Sequence, residues 1–235
     1  KGRIAAVIME PVRSDPPNIN FLKLVRSTAK KIGAIFIFDE ITSGFRETVG
    51  GFHLKLNINP DVAILSKAMS NGYPSSAIIG VKPVLDEAQN TFISSCMWTE
   101  RIGFVAALAT IKKIQKKNII NHLIKYGKMI KNGWSDAATN NKLDINISGL
   151  DPIPQFSFNY KNNKELETFF IQELKNKGFL ANTRLGTTYS YNKKIVNMYL
   201  DLVDDVFRRI SKILANSSKV PLNGPVRHST FQRLI

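Results

Sequence analysis

The chain has 235 residues, of which 43% are hydrophobic, and its formal net charge at pH 7 is +15. This length and hydrophobic content are enough for one large domain or two modest ones, and they exclude a wholly disordered chain. No apolar run reaches the length of about 18 residues that a membrane-spanning helix needs, so we predict no membrane span. Cys96 is the single cysteine, which fits a reducing, cytoplasmic compartment.

The excess of basic residues raises the question of nucleic-acid binding. Lysines recur along one predicted helical stretch between residues 112 and 131, with little aromatic sequence among them. Single-stranded nucleic-acid sites combine a basic groove with stacking aromatic side chains. We therefore interpret these lysines as a solvated helix face and predict no nucleic-acid partner.

The first half of the chain predicts an α/β sheet. Short apolar runs at residues 4–9, 34–38, 62–65 and 76–80 predict strands, and the first is expected to be buried on both faces. Asn18 is predicted to cap a helix between the first two strands, and Gly33 to end it. The apolar face assigned to this helix consists of Phe21, Leu24, Val25, Thr28 and Ile32. A helical crossover between short strands indicates a mostly parallel or mixed sheet.

After about residue 100 the pattern becomes mainly helical. Helices are predicted over residues 102–118, on to about residue 138, over 164–177 and over 195–214. The first of these carries Val105, Ala106, Ala109 and Ile114 on one side. Alternating aromatic residues predict a strand at 155–160, and a short strand is expected at 179–181. We place a domain boundary near residue 118, with a large-domain portion at 1–118 and a small α+β domain at 119–235. The tail from about residue 216 is expected to be irregular.

Charged groups follow two of the buried strands, and in open α/β sheets ligands bind at such strand ends. Asp39 and Glu40 follow the second predicted strand, and Lys67 follows the third. One interpretation is a direct ion pair between Asp39 and Lys67. The other is that both hold one ligand, with Asp39 against a cationic nitrogen and Lys67 against an electrophilic carbon. Pyridoxal phosphate is held in this manner, as a Schiff base on a lysine with an acid at its pyridine nitrogen.

Three segments carry a resemblance to a known family. FIFDEITSGFR, PDVAILSKAMSNGYP and SSCMWTERIGFVAALAT resemble class III pyridoxal-phosphate aminotransferases, nearest the glutamate-1-semialdehyde 2,1-aminomutase branch. The resemblance is strong over about residues 4–118. It implies fold type I, a homodimer with the active site at the subunit boundary, and pyridoxal 5'-phosphate as cofactor.

The resemblance also implies roles for individual residues. Lys67 matches the Schiff-base lysine, Asp39 the partner of the pyridine nitrogen, and Ile41 the apolar residue packed on the ring. Asp39 is therefore expected to be buried, because the cofactor brings it a cation. Glu40 is expected to hydrogen bond to nearby loop backbone.

Phosphate and substrate contacts are less closely matched. Cys96 or Met97 stands where the family has a phosphate-binding threonine, so Ser95 or Thr99 is the candidate hydroxyl. Arg46 is a candidate for binding a substrate carboxylate, and Arg184 is a weaker one. The three histidines, His53, His122 and His228, are widely spaced, and we predict no metal site.

The sequence thus predicts a transaminase that uses a small-molecule amino donor and a carbonyl acceptor. An aminomutase and an incomplete, non-catalytic piece of such an enzyme remain alternatives. The chain opens at Lys1 in mid-pattern, and we expect an N-terminal portion with the family's phosphate loop to precede it. A further alternative is a lyase that forms a Schiff base with its substrate on Lys67 without a cofactor. In such an enzyme Asp39 would have no pyridinium nitrogen as its partner.

Overall fold

The computed structural model describes residues 4–97 and 99–228 of the chain. The chain divides into two compact units between His122 and Leu123, which we call the first and the second unit. The roles predicted for residues 1–118 and 119–235, as cofactor-binding domain and smaller domain, stay predictions. Among the described residues, no helix combines the length and the apolar character needed to cross a membrane.

The first unit is built on a sheet with the strand order β1-β2-β3-β4. These strands are β1 Ala6–Met9, β2 Ile35–Asp39, β3 Val62–Leu65 and β4 Ala77–Gly80. The first three run parallel, and β4 is antiparallel to β3. The predicted strands and the predicted α/β class, with a mostly parallel sheet, are therefore confirmed.

Four helices accompany this sheet in the described part of the first unit. They are α1 Ile19–Ile32, α2 His53–Leu56, α3 Lys82–Asp86 and α4 Ile102–Lys116. Both predicted ends of α1 are confirmed: the Asn18 side chain accepts a hydrogen bond from the Phe21 N–H at 3.0 Å, and Gly33 adopts a left-handed φ of 75°. Only glycine takes this φ without strain, which explains where the helix stops.

An ion pair ties α1 to the sheet. The Arg26 guanidinium donates two hydrogen bonds, of 2.9 and 2.8 Å, to the Asp61 carboxylate. The same carboxylate accepts from the Phe36 N–H at 2.9 Å. Asp61 therefore joins the helix to the starts of β2 and β3 and fixes that end of the sheet.

The prediction that β1 is buried on both faces is wrong. Ile8 exposes 59% of its surface, and Ile78 on β4 exposes the same fraction. Within the described residues both strands lie at edges of the sheet and pair on one side only. The side chains that are fully buried are those of Phe36 and Phe38 on the central strand β2.

The face predicted for α1 is also wrong, and the one predicted for α4 is right only at Ile114. Phe21, Leu24 and Ile32 of α1 are exposed, and Leu22 and Ala29 are buried instead. On α4 the predicted face was Val105, Ala106, Ala109 and Ile114, and the buried residues are Gly103, Ala107 and Ile114. Both helices carry apolar residues on two sides, so the apolar pattern does not identify the side that meets the sheet.

The second unit has its own core. Its helices are α5 Ile119–Asn140, which begins just before the division, α6 Asn163–Asn176 and α7 Lys193–Ala215, and its strands are β5 Ile145–Ser148 and β6 Gln155–Phe158. The helices and the strand β6 were predicted. The core contains many aromatic side chains, among them Trp134, Phe156, Phe158, Phe170 and Phe207. The Trp134 indole N–H donates to the Tyr199 hydroxyl at 2.9 Å, which satisfies both buried polar groups.

One sequence prediction for the second unit fails, one strand was missed, and one prediction is confirmed in part. Residues 179–181 form no strand, because the Phe179 N–H bonds back to the Leu174 carbonyl at the end of α6. Strand β5 was not predicted. The tail is irregular from 216 to 228, as expected, and is anchored by the Arg227 N–H, which donates to the Thr168 hydroxyl at 3.0 Å. The rest of the predicted tail, 229–235, lies outside the described residues.

Candidate active site

Asp39 and Lys67 leave two neighbouring strands at the same edge of the sheet. Asp39 is the last residue of β2 and pairs in register with Ile64 of β3. The Glu40 N–H donates to the Ile64 carbonyl at 2.9 Å, so the two strands stay joined up to their ends. Lys67 follows β3 directly after Ser66. The sheet therefore brings together the two residues that the sequence placed in one site.

Lys67 is held in an unusual backbone conformation. It opens a 3₁₀ turn, Lys67–Met69, and its φ is 45°. A non-glycine residue in this left-handed region is strained, and such strain clusters at functional sites. Its side-chain Nζ donates a hydrogen bond of 2.8 Å to the Thr42 hydroxyl oxygen.

Asp39 makes no ion pair with Lys67 in the described part of the chain. One of its carboxylate oxygens accepts from the Ile41 N–H at 3.0 Å. Of the two interpretations drawn from the sequence, the direct ion pair is therefore not formed. The arrangement leaves both charged groups available to a ligand.

Asp39 and Glu40 differ in burial, and the expected burial of Asp39 against the cofactor stays a prediction. Asp39 is half-buried, whereas its neighbour Glu40 has no exposed surface. Side chains alternate along a strand, and Phe36, Phe38 and Glu40 follow one another on the buried side. That alternation is visible in the sequence, and it could have shown which of the two carboxylates points inward.

Glu40 makes four hydrogen bonds with the loop that follows β2. One oxygen, Oε2, accepts from the Ser43 hydroxyl and the Phe52 N–H, both at 2.6 Å. The other, Oε1, accepts from the His53 N–H and lies 2.8 Å from His53 Nδ1. A carboxylate only accepts, so His53 Nδ1 carries the hydrogen. The expected role of Glu40 in binding loop backbone is confirmed.

These hydrogen bonds decide the charge of Glu40. Burial by itself would raise the pKa of the carboxyl group, but the bonds from His53, Ser43 and the backbone of His53 and Phe52 outweigh it and hold the pKa below its ordinary value. Glu40 is therefore ionised at neutral pH. Hydrogen bonds from the loop's own N–H and O–H groups thus stabilise the buried charge.

Other predicted site residues lie near this edge or elsewhere in the first unit. Ile41 and Arg46 are half-buried in the loop. Ser95 lines an open cleft of about 600 Å³ together with Ser66, which immediately precedes Lys67. Thr99 is exposed.

Two further groups considered in the sequence lie outside this arrangement. Arg184 belongs to the second unit, where its backbone bridges to Gln155, and its side chain is exposed. Cys96 is an exposed free cysteine. Within the described ranges no group of three or more His, Cys, Asp and Glu side chains could hold a metal ion.

Sequence reasoning missed Thr42. Its contact with Lys67 joins residues 25 positions apart, and no spacing rule predicts that a lysine side chain folds back onto a hydroxyl of another loop. The register of β2 and β3 is what brings the two together.

Solved structures share the fold. The chain superimposes on the PLP internal aldimine form of a Sphingopyxis FumI protein with a TM-score of 0.86 and 22% identity, over 94% of this chain and 55% of that one. An omega-transaminase from Sphaerobacter thermophilus gives 0.79 and 16% identity, over 88% of this chain and 52% of that one. The fold is therefore that of the fold type I transaminases.

The chain belongs to the class III aminotransferase family, which matches residues 1–214. It is 30% identical to a 2'-deamino-2'-hydroxyneamine transaminase of Streptomyces kanamyceticus over 66% of this chain and 39% of that protein. It is 26% identical to a glutamate-1-semialdehyde 2,1-aminomutase of Wigglesworthia glossinidia brevipalpis over 92% of this chain and 54% of that protein. The chain thus spans about half the length of the relatives it matches, and the resemblance seen in the sequence is confirmed.

Proposed function

We propose that the chain is part of a pyridoxal-phosphate-dependent transaminase, which moves an amino group from a small-molecule amino donor to a carbonyl acceptor. The observation that carries the proposal is the placement of Asp39 and Lys67. They leave adjacent parallel strands at one edge of the sheet, and no ion pair joins them within the described residues. Membership of the class III aminotransferase family supports the same reaction class.

The residues at this edge fit the cofactor. When bound, pyridoxal phosphate supplies an aldehyde that condenses with amines and a ring that withdraws electrons from the substrate carbon. Lys67 Nζ is the amine that would hold it, and Asp39 is the carboxylate that would face its ring nitrogen. Ile41, on the same loop, would pack against the ring. Once its amine is released, Lys67 Nζ would carry a proton to and from the reacting carbon as general acid and base.

Two further contacts belong to the proposal. The serine hydroxyls of the cleft beside Lys67, including Ser95, are suited to donate to a phosphate, and Thr99 is the second candidate. Arg46 would bind a substrate carboxylate through its paired N–H groups, and Arg184 is the alternative.

A homodimer with its active site at the subunit boundary is also proposed. The first unit exposes large apolar side chains that a single copy leaves in water, among them Phe104, Val105 and Leu108 of α4. Exposed apolar surface of this kind marks an interaction site. A reducing cytoplasmic location is proposed because Cys96 is the single cysteine.

The second candidate function is a 2,1-aminomutase, which moves the amino group within one molecule. It is favoured by the match to a glutamate-1-semialdehyde aminomutase over 92% of this chain. A product assay with and without an external 2-oxo acid separates the two, because net transfer to that acid excludes a pure mutase. No transfer and no mutase product would favour the third alternative, a piece without catalytic activity by itself.

The test of the proposal is covalent labelling. Pyridoxal phosphate is added to the chain, borohydride is used to trap it, and peptide mapping identifies the labelled lysine. We expect Lys67 to carry the label and Lys67→Arg to lose it. The control is Lys82→Arg, which changes an exposed lysine on α3. A label that stays on other lysines in the native chain and in Lys67→Arg would refute the assignment.

A further inference from the structure

Glu40 is a fully buried carboxylate for which the proposed reaction has no direct use. Its hydrogen bonds all go to the loop that follows β2, through Ser43, Phe52 and His53. We call these four residues the Glu40 cluster. Because Phe52 and His53 lie at the far end of the loop, the cluster closes residues 41–53 onto the end of β2.

Two glycines allow this closure. A Cβ at Gly51 would lie 2.4 Å from His53 Nδ1 and 2.9 Å from Glu40 Oε1, and a Cβ at Gly44 would lie 2.8 Å from the Glu40 carbonyl oxygen. Real Cβ atoms do not approach that closely, so larger residues would push the loop off the carboxylate. The loop sequence is thus matched to a buried acid at this position.

The closed loop carries one hydrogen-bond partner of Asp39 and one of Lys67. The Ile41 N–H bonds to Asp39, and the next residue, Thr42, accepts the hydrogen bond from Lys67 Nζ. Lysine has a long side chain with many rotamers, and it is exposed here. Its amine therefore stays in place only as long as the Thr42 hydroxyl does.

We propose that Glu40 is a positioning residue that closes the loop and thereby holds the Thr42 hydroxyl against Lys67 Nζ. The inference rests on the proposed function, in which Lys67 is the amine that binds pyridoxal phosphate. In this role Glu40 contacts neither Lys67 nor Asp39 and acts through the loop. The position of the loop reaches Lys67 Nζ through its hydrogen bond to the Thr42 hydroxyl.

Glu40→Gln tests the first link. An amide has the same shape, but its NH₂ would face N–H or O–H donors on one side, so at least one bond of the cluster is lost and the loop loosens. The readout is the ratio of pyridoxal-phosphate labelling at Lys67 to labelling at Lys82, measured by borohydride trapping and mass spectrometry. We expect the ratio to fall at least about tenfold, because misplacement of a reacting group by about 1 Å can cost about 10²-fold in rate.

The matched control is Glu47→Gln, the same change on the same loop. Glu47 pairs with Lys55 and lies outside the Glu40 cluster, so the ratio should not change. If Glu40→Gln does not fold, Ser43→Ala is used in its place in every comparison, because it removes a single hydrogen bond of the Glu40 cluster. Amide hydrogen exchange at Phe52 and His53 gives a second readout that needs no cofactor, and it should accelerate in Glu40→Gln and not in Glu47→Gln.

Thr42 variants test the second link. Thr42→Val should lower the labelling ratio by a similar factor, and Thr42→Ser, which keeps the hydroxyl, should restore it. The combination of Glu40→Gln with Thr42→Val should fall no further than either change alone, since both act through one hydrogen bond.

The outcomes separate the two proposals. If native Lys67 is not labelled in preference to Lys82, the proposed function fails. If Lys67 is preferred and Glu40→Gln leaves the ratio unchanged, or if the two changes multiply in the double variant, the positioning role is refuted. A loss of ratio in Thr42→Val that Thr42→Ser does not restore would also refute it.

Discussion

At the scale of single residues, Asp39 and Glu40 are adjacent carboxylates that differ in solvent exposure and in the number of hydrogen bonds they accept. Asp39 is half-buried and accepts one backbone hydrogen bond, whereas Glu40 is fully buried and accepts four. The first is available to a ligand at the sheet edge, and the second is committed to the loop. Their substitutions should therefore act on different properties.

Asp39→Asn should reduce turnover and leave labelling of Lys67 intact. An amide carries no charge, so it cannot favour a protonated ring nitrogen as a carboxylate does. We expect turnover to fall at least about a hundredfold, or about 2.7 kcal/mol in the activation barrier. Steady-state assays of the assembled enzyme measure this, with Asp86→Asn as the control because Asp86 is exposed and pairs with Lys82. Near-normal turnover in Asp39→Asn would contradict the proposed role.

Glu40→Gln should make the protein less stable at neutral pH, by about 1–3 kcal/mol, the usual cost when a buried hydrogen-bond donor loses its acceptor. The folded-state pKa of Glu40 lies below the unfolded value of 4.5. The carboxylate's contribution is therefore complete above that pH and is lost as the pH falls through the folded-state pKa. Urea unfolding at pH 7 and at pH 3 should show the gap between native protein and variant narrowing in acid. A gap that is the same at both pH values would show that the charge is not what stabilises the loop.

At this scale the sequence predicts where the charged residues lie better than it predicts their surroundings. Asp39 and Lys67 could be placed at one edge of the sheet because both follow buried strands, and strand ends of parallel sheets meet at one edge. Their shared role in one site stays a prediction. The contact of Thr42 with Lys67 could not be predicted, since it depends on how two loops fold back after the strands have paired. The inward position of Glu40 was missed because the alternation of Phe36 and Phe38 was not extended to it.

At the scale of elements, α5 contains a close approach that only glycine permits. A Cβ at Gly127 would lie 1.6 Å from the carbonyl oxygen of Asp151. The segment around Asp151 is held in place from several sides: Lys131 donates to the Gly149 carbonyl at 2.6 Å, and the Thr187 N–H donates to the Pro152 carbonyl at 2.9 Å. The backbone there cannot move aside cheaply.

Gly127→Ala should therefore destabilise the second unit by about 1–3 kcal/mol, the usual cost of overpacking. Gly133→Ala is the matched control on the same helix, because its Cβ would meet the Leu200 side chain, with both methyl carbons at 2.5 Å and Cγ at 2.9 Å, and no backbone atom among its three nearest neighbours. That side chain can rotate, and alanine gains about 1 kcal/mol in helix propensity over glycine. Thermal unfolding should show a clear loss for Gly127→Ala and little for Gly133→Ala. Equal effects would mean that the close approach at Asp151 carries no cost.

Element positions follow from the sequence more reliably than element faces. Caps such as Asn18 and Gly33 are local, and they end α1 where predicted. The face of α1, and that of α4 apart from Ile114, was wrong because apolar residues that lie at the surface have the same spacing as those in a core. Strand β5 was missed because its alternation of Ile145 and Ile147 with polar residues spans only four positions, and it is stabilised by pairing with the later strand β6.

At the scale of the whole molecule, the exposed apolar residues of α4 are the main feature that one copy of the chain leaves unexplained. Phe104, Val105 and Leu108 expose 56%, 64% and 59% of their surfaces. Residues three and four positions apart lie on one side of a helix, so these side chains form a continuous stripe. Burial of such a stripe in a second copy would remove apolar surface from water and favour association.

Leu108→Lys should therefore weaken self-association. A lysine in the middle of the stripe would have to lose its hydration in the interface, and we expect the dimer dissociation constant to rise at least about tenfold, equivalent to about 1.4 kcal/mol. Sedimentation velocity over a range of protein concentrations measures this. Leu180→Lys is the control, because it adds the same charge at a different place. Leu180 lies in the second unit and is 94% exposed. If the native chain is monomeric at every concentration, or if both variants associate as the native chain does, then α4 is not a subunit interface.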